Sequence, residues 1–181
     1  MKTIVLTGGT SKRFGSDKSQ AKINGKTLLE IISSNLEDLI IVGPESSVKA
    51  KYILENPPHG GPVAAIGAAL KFVDTELVGI FAVDMPFATR LISELSEKLT
   101  LDAVLPVDDQ GYAQPLAGVY KAEPLRNAIA TFDSLGGESM KSLISKLRID
   151  RVEVLNRDLL LDIDNQEDLK LAIDLHSKLE P

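Results

Sequence analysis

The sequence predicts an α/β fold: a doubly wound, mostly parallel β-sheet with helices on both faces. Short apolar runs rich in β-branched residues recur along the chain, as expected of strands that are buried on both faces. Segments with helical spacing of apolar residues lie between these runs, and such alternation builds parallel sheets through right-handed crossovers. The 181 residues contain no internal repeat, low-complexity tract or linker. We therefore expect a single domain over residues 1–181.

Five apolar runs are predicted to be strands of the largely parallel sheet. A sixth segment, residues 114–121, follows the fourth run after one short turn and is predicted to add one antiparallel strand. The five runs are residues 3–7, 39–42, 78–83, 103–107 and 152–155.

Four segments are predicted to be helices from the spacing of their apolar residues. Pro62 suits the first turn of the second helix, because its fixed φ is preorganised for that position. The four segments are residues 28–36, 63–73, 87–99 and 168–179.

The composition excludes several classes of function. There are 20 Lys and Arg residues against 26 Asp and Glu, and the net charge of −6 argues against a nucleic-acid-binding protein. The absence of cysteine excludes disulfides, thiolate metal sites and Cys nucleophiles. No run reaches the roughly 18 apolar residues of a membrane span, and the short N-terminal apolar run ends at glycines, so it predicts a strand rather than a signal peptide. We expect a cytoplasmic enzyme without a membrane partner.

The loop that follows the first strand carries the strongest functional signal. Gly8 and Gly9 allow a sharp turn and a close approach of backbone N–H groups to a phosphate. Lys12, Arg13 and Lys18 add three cations to this loop in a chain that is acidic overall. A flexible turn with solvated charges is the alternative. The position directly after the first strand, together with the clustered cations, favours a nucleoside triphosphate.

Two better-known phosphate motifs are absent. The spacing G-x-G-x-x-G does not occur in this loop, since the glycine after Gly9 is Gly15. Gly25-Lys26-Thr27 resembles the end of a P-loop, but Gln20 stands where that motif requires its first glycine. The segment is interpreted as the start of the helix over 28–36, which excludes a P-loop NTPase.

Asp84 is the candidate metal ligand. It stands where an apolar strand ends, and Pro86 restricts the chain two residues later. A carboxylate at the carboxyl edge of a parallel sheet can hold Mg²⁺ together with substrate phosphates. The alternative is that Asp84 caps the helix predicted over 87–99, and the sequence leaves the two interpretations open.

Two further segments contain polar groups near strand ends. The proline- and glycine-rich loop over 55–62 leads into a helix N-terminus, where His59 is a candidate phosphate donor or simply an exposed side chain. In the segment over 161–168, Asp164 and Glu167 have capping-box-like spacing for the last helix. Asp162 and Asp164 are also candidates for contacts with a hydrated metal or a ribose.

The order of these motifs resembles the molybdenum cofactor guanylyltransferases of the Rossmann-like nucleotidyltransferase superfamily. That family reads L-A-G-G-x-S-x-R-M-G-x-D-K, then G-K-P-L, G-P-L-A-G-I, C-D-x-P-F, Q-P-L and D-I-N/D-T-P-E-D-L. The corresponding segments of this chain are residues 6–18, 25–29, 61–66, 82–87, 114–116 and 162–169. The resemblance extends over nearly the whole chain.

The resemblance implies transfer of GMP from Mg·GTP to the phosphate of molybdopterin or its molybdenum-loaded form, with release of pyrophosphate. It implies that Lys18, Arg13 and Asp84 are catalytic and that Asp84 binds Mg²⁺. Transient contact with other molybdenum cofactor proteins is a further implied partnership. The residues implied to bind the nucleotide are Leu6, Thr7, Gly8, Gly9, Lys12, Lys18, Asn56 and Asp84.

The chain departs from the family pattern close to the expected nucleobase. Thr7 stands where Ala is usual, Gly43 stands at the family's base-contacting Asn, and Asn56 replaces an Asp. Asp17 before Lys18 favours the guanylyltransferase branch over the cytidylyltransferases. Two alternatives stay open: a related nucleotidyltransferase that uses CTP or another acceptor such as a sugar phosphate, and a catalytically weak nucleotide-binding protein.

Overall fold

A computed structural model describes residues 1–8, 21–34 and 36–180 of the chain. In these residues the strands are β1 (Lys2–Leu6), β2 (Lys22–Ile23), β3 (Lys26–Thr27), β4 (Leu39–Val42), β5 (Lys51–Ile53), β6 (Leu77–Ala82), β7 (Ala103–Pro106), β8 (Ala117–Lys121) and β9 (Ile149–Val152). The α-helices are α1 (Leu28–Ser33), α2 (Pro62–Leu70), α3 (Ile92–Glu97), α4 (Ala122–Ala130), α5 (Met140–Ile144) and α6 (Gln166–Leu179). Two 3₁₀ helices span Ala88–Leu91 and Arg157–Leu160.

Seven strands form one sheet in the order β5-β4-β1-β6-β8-β7-β9. The strand β8 is antiparallel to both of its neighbours, and the other pairings in the sheet are parallel. The predicted fold class, a mostly parallel sheet with one antiparallel strand, is therefore confirmed. The short strands β2 and β3 form a separate hairpin that leads directly into α1.

Side chains alternate between the two faces of the sheet, as the pleat requires. Val5, Ile41 and Phe81 point toward one hydrophobic cluster, which also contains apolar residues of α1, α3 and α6. Ile4 and Ile80 point toward a second cluster, which contains apolar residues of α2, α4 and α5. The sheet is covered on both faces, which explains why its central strands are continuously apolar.

The connections reverse their direction across the sheet at β1. From β1 the chain runs through α1 to β4 and β5, and α2 then returns it to β6 on the other side of β1. Because α1 and α2 lie on opposite faces, the carboxyl ends of β1 and β6 form a topological switch point. A crevice opens at such a point in doubly wound sheets.

The segment after the sheet packs back onto it. Val154, Leu159, Ile163 and the α6 residues Ala172 and Leu175 are buried in the same cluster as α1 and α3. His176 of α6 is buried, lies 3.3 Å from Asn24 of the β2–β3 hairpin through its Nδ1 atom, and packs with a tilted ring against Phe87. The helix α6 thus contacts both the hairpin and the segment that follows β6.

The strand predictions are accurate in the centre of the sheet and fail at its edges. The strand predicted over 39–42 coincides with β4. The strand predicted over 152–155 and the helix predicted over 87–99 both need correction. The last strand is β9, Ile149–Val152, and Leu155 is 94% exposed beyond it. Where one helix was predicted over 87–99, the chain forms a 3₁₀ helix followed directly by the shorter α3. The edge strand β5, the β2–β3 hairpin and α4 were not predicted. The strands β5, β2 and β3 are only two or three residues long, and α4 begins directly at the end of β8.

An ion pair joins the residue before β9 to the residue before β7. The Arg148 guanidinium donates to both carboxylate oxygens of Asp102, at 3.0 and 2.7 Å, and the Arg148 N–H donates to the same carboxylate. The Asp102 N–H donates in return to the Arg148 carbonyl at 3.0 Å. This pair joins the starts of β7 and β9. The hydrogen bonds from the Arg148 side chain and backbone lower the pKa of Asp102 from its ordinary value of 3.8 to about 2.

The Asp102–Arg148 pair predicts a specific acid sensitivity. A carboxylate whose pKa is lowered by folding stabilises the native state above its ordinary pKa, and this contribution is lost as the pH falls from about 4 to about 2. Asp102→Asn should lower stability at pH 7 and flatten the decline over that acid range. Urea unfolding at a series of pH values measures both effects. Asp133→Asn, at an exposed position, is the matched control, and equal acid profiles for the parent and Asp102→Asn would contradict the prediction.

Candidate active site

A crevice of about 130 Å³ lies at the topological switch point. Its walls are the ends of β1 and β6 and the residues that follow them, together with the first residue of α2 and one residue before β8. The lining residues are Leu6, Thr7, Gly8, Pro62, Ala82, Val83, Asp84 and Leu116. Leu6, Thr7, Gly8 and Asp84, four residues predicted from the sequence to bind the nucleotide, thus share one crevice.

Backbone hydrogen bonds extend the sheet to the edge of this crevice. The Val83 N–H donates to the Leu6 carbonyl at 3.0 Å, and the Ala82 N–H donates to the Leu116 carbonyl at 2.9 Å. On the other side of β1, the Thr7 N–H donates to the Val42 carbonyl at 3.1 Å. The polar residues after β1 and β6 therefore follow rigid strand ends, which fixes Asp84 relative to Thr7 and Gly8.

Asp84 is half-buried at the end of β6 and is held by the segment before α6. Its backbone carbonyl accepts a hydrogen bond from the Ile163 N–H at 2.9 Å. The capping interpretation of Asp84 is wrong: the following 3₁₀ helix has Phe87 at its N-cap, α3 has Leu91, and neither cap has a side-chain hydrogen bond. Asp84 is thus a lining residue of the crevice and not the N-cap of either helix.

The segment before α6 is capped by different residues from those predicted. The Asn165 side chain accepts from the N–H groups of Glu167 and Asp168, at 2.8 and 3.1 Å, and Asp168 accepts from the Asn165 N–H at 3.0 Å. Asn165 and Asp168 thus form the capping box that the sequence analysis assigned to Asp164 and Glu167. Asp162 and Asp164 are exposed on either side of Ile163, whose N–H bonds to the carbonyl of Asp84.

Thr7 and Gly43 are neighbours at the ends of β1 and β4. The Thr7 hydroxyl donates to the Val42 carbonyl at 3.1 Å, which turns it over the backbone of Gly43. A Cβ atom at position 43 would overlap the Thr7 hydroxyl oxygen, and Gly43 also has a φ of +155°. Two departures from the family pattern, at positions 7 and 43, therefore belong to one steric arrangement.

The loop before α2 bounds the carboxyl edge of the sheet on the side of β4. Gly61 has a φ of +87°, an angle that favours glycine, and it precedes Pro62 at the first position of α2. The neighbouring Gly60 carbonyl accepts from the Gly137 N–H at 2.8 Å. Asn56 and His59 are both exposed on this loop, and neither belongs to the lining formed by the described residues.

The loop between β7 and β8 lies at the same edge of the sheet. The hydrogen bonds that fix its conformation were not predicted from the sequence. The Asp108 carboxylate accepts from the N–H groups of Gln110 and Tyr112, at 2.9 and 2.8 Å, and from the Gln114 side-chain amide at 2.8 Å. These bonds form a tight turn that leaves Tyr112 66% exposed. The pattern Asp-x-x-Gly, with Asp108 at its start and Gly111 at its end, is the sequence signal of such a turn.

A wider concavity of about 500 Å³ lies at the opposite edge of the sheet. It is lined by residues before β6, such as Asp74 and Glu76, by Lys121 at the end of β8, and by α4 residues such as Arg126. This edge holds the amino ends of the parallel strands, where doubly wound sheets do not bind ligands. The smaller crevice is therefore the better candidate for the active site.

Several predicted site residues lie outside the described part of the chain. These are Gly9, Lys12, Arg13 and Lys18, so the structure neither supports nor contradicts their assigned roles. Among the residues that the structure describes, no three His, Cys, Asp or Glu side chains are grouped so that they could hold a metal ion. Within the same residues, none of the helices has the length and apolar character needed to span a membrane.

Comparison with known proteins identifies the class. A crevice with a carboxylate at the switch point of a doubly wound sheet is typical of a nucleotide-binding α/β protein. The sequence profile of the MobA-like NTP transferase domain matches residues 3–152, and the chain belongs to that family. The chain is therefore a nucleotidyltransferase.

Individual relatives agree with the family assignment. A probable molybdenum cofactor guanylyltransferase of Geobacillus sp. (strain WCH70) is 34% identical over 138 residues, 66% of this chain and 69% of the relative. One from Bacillus cereus (strain AH187) is 26% identical and covers 91% of this chain and 92% of its own length.

Two solved structures share the fold. The molybdopterin-guanine dinucleotide biosynthesis protein A of Archaeoglobus fulgidus is 24% identical, with a TM-score of 0.78 over 98% of this chain and 100% of its own. The 2-C-methyl-D-erythritol 4-phosphate cytidylyltransferase of Thermus thermophilus is 17% identical, with a TM-score of 0.71 and the same coverage. The fold thus occurs in proteins named for different nucleotides.

The contact between Thr7 and Gly43 predicts non-additive stability changes. Gly43→Ala should destabilise the protein because the new methyl group overlaps the Thr7 hydroxyl, and the unfavourable φ adds strain. In a Thr7→Ala background the strain and a close contact with the Cβ of residue 7 remain but the overlap with the hydroxyl is gone, so the penalty should be smaller by on the order of 1–3 kcal/mol. Urea unfolding of the parent, both single variants and the double variant measures this coupling. Effects that add to within about 0.5 kcal/mol would show that the two side chains do not compete for one space.

Proposed function

We propose that this chain transfers GMP from GTP to the phosphate of molybdopterin or its molybdenum-loaded form, releasing pyrophosphate. The observation that carries the proposal is the crevice at the switch point, which Asp84 lines together with Leu6, Thr7 and Gly8 at the ends of two bonded strands. The names of the Geobacillus and Bacillus relatives supply the acceptor and the nucleotide. In this proposal residues 1–181 act as a single nucleotidyltransferase domain.

Asp84 fits a magnesium ion that arrives with the nucleotide. Mg²⁺ dehydrates reluctantly and is usually held by one or two carboxylates together with substrate phosphates. A single half-buried carboxylate at the crevice agrees with that mode of binding, and the described residues form no larger cluster of metal ligands. When bound, Mg²⁺ would neutralise negative charge on the phosphates. Asp84 would hold the ion, and Asp162 and Asp164 lie on the segment bonded to the Asp84 backbone.

The remaining roles follow from the charge of the reactants. An oxygen of the acceptor phosphate forms a bond to the α-phosphorus of GTP, and the bond from that phosphorus to the bridging oxygen of the β-phosphate breaks. The acceptor oxygen already carries negative charge, so no general base is needed and catalysis consists of positioning and charge neutralisation. We assign Lys18 and Arg13 to the reacting phosphate, Lys12 to the triphosphate, and Leu6, Thr7, Gly8, Gly9 and Asn56 to the rest of the nucleotide.

Nucleotide consumption with the acceptor present tests the proposed reaction. Purified protein with Mg²⁺ and molybdopterin should release pyrophosphate from GTP faster than from CTP, and the product should contain one GMP per molybdopterin. Chromatography of the product and a pyrophosphate assay measure both quantities. Equal or faster use of CTP would contradict the choice of guanine. Tight GTP binding without transfer would contradict the enzymatic role.

Asp84→Asn separates metal binding from a structural role. Asn keeps the shape of the side chain but removes the charge on which Mg²⁺ depends. The variant should melt close to the parent without ligands, yet lose about 10²–10³-fold in turnover at saturating Mg²⁺. Asp74→Asn is the matched control, since Asp74 lies at the opposite edge of the sheet and pairs with Lys2. Near-parental turnover of Asp84→Asn would contradict the metal assignment.

A further inference from the structure

The side chain of Thr7 occupies the space between the ends of β1 and β4. It lies at the crevice, and only 8% of the residue is exposed. Its hydroxyl is held by the bond to the Val42 carbonyl, which also accepts the Thr7 N–H. The hydroxyl therefore has one defined position relative to the crevice.

No side chain at the end of β4 can share this space with Thr7. A Cβ atom at position 43 would overlap the Thr7 hydroxyl oxygen and lie 3.2 Å from the Thr7 Cβ. The Gly43 N–H donates to the Ile53 carbonyl at 2.9 Å, which holds the Gly43 backbone against β5. At this corner of the crevice, a ligand can therefore meet the side chain of residue 7 but none from residue 43.

The hydrogen bond to Val42 determines what Thr7 can offer a ligand. A hydroxyl has one hydrogen to donate and two lone pairs that accept. The Thr7 hydrogen is directed to the Val42 carbonyl, so toward a ligand its oxygen acts as an acceptor only. A group bound against it must bring an N–H or O–H donor.

We propose that the Thr7 hydroxyl oxygen accepts a hydrogen bond from an N–H group of guanine and so determines nucleobase recognition in place of a side chain at position 43. This inference rests on the proposed function, in which Leu6, Thr7 and Gly8 bind the part of GTP other than its triphosphate, and it assigns Thr7 to the base. Guanine suits an acceptor because its ring N–H stands beside an exocyclic amino group, giving neighbouring donors on one edge. Thr7 is thus a specificity-determining residue for this chain.

Thr7→Val tests the proposal because valine keeps the shape of threonine and removes the hydroxyl. The Val42 carbonyl keeps its bond from the N–H of residue 7, so we expect the fold to tolerate the change. Calorimetry with Mg²⁺ should show GTP binding about tenfold weaker than in the parent, from the loss of one hydrogen bond. Thr7→Ser retains the hydroxyl and should bind GTP within about threefold of the parent.

Inorganic tripolyphosphate is the control ligand, because it has the charge of the nucleotide and no base. Its affinity should be the same in the parent and in Thr7→Val. Equal weakening of tripolyphosphate and GTP would overturn the inference, since the change would then act on the whole crevice. If Thr7→Val does not fold, Thr7→Ala removes the same hydroxyl with less bulk, and the same comparison applies.

The outcomes distinguish this inference from the proposed function. Suppose that the parent binds GTP more tightly than CTP and tripolyphosphate, and that Thr7→Val shows the same preference for GTP. This result would overturn the role of Thr7 and leave the proposed function intact. A parent that binds GTP no better than tripolyphosphate recognises no base, which would overturn both the proposed function and this inference. Selective loss of GTP affinity in Thr7→Val, restored in Thr7→Ser, supports both.

Discussion

The hydrogen bond between the Val83 N–H and the Leu6 carbonyl holds together the two strand ends at which the chain reverses its direction across the sheet. The strands β1 and β6 carry connections on opposite faces, so the helices diverge beyond them and leave a crevice. The bond between Val83 and Leu6 continues the pairing of β1 with β6 beyond Leu6 and Ala82. The sheet itself therefore fixes the backbone of Thr7, Gly8 and Asp84 at one crevice.

The sequence has opposite charges after two different strands. The sequence concentrates Lys12, Arg13 and Lys18 after β1, while the carboxylate follows β6. A triphosphate with its metal ion needs both, because cations balance the phosphate oxygens and a carboxylate holds the metal. An acidic chain can therefore bind a highly anionic ligand without a basic surface. The net charge of −6 argued against nucleic acid as a partner class but left this local chemistry intact.

The sequence predicted what local chemistry determines and missed what depends on distant neighbours. The central strands were predicted to within a residue at most ends, because strands buried on both faces must be apolar throughout. The edge strand β5 and the start of β9 were missed, since both are short edge strands with polar residues among their few apolar ones. Gly43 and the residue at position 7 were recognised as separate departures. Their steric contact joins residues 36 positions apart and required the structure.

A backbone bond from the Ile163 N–H to the Asp84 carbonyl ties the segment before α6 to the site. Residues beyond 152 lie outside the match to the family profile, yet Val154, Ile163 and Leu175 are buried in the same cluster as α1. The profile match therefore ends before the fold does, although the Archaeoglobus protein aligns with 98% of the chain. A protein shortened to residues 3–152 would expose the apolar side chains that α6 and the segment before it now cover, and exposed apolar surface of this kind promotes aggregation.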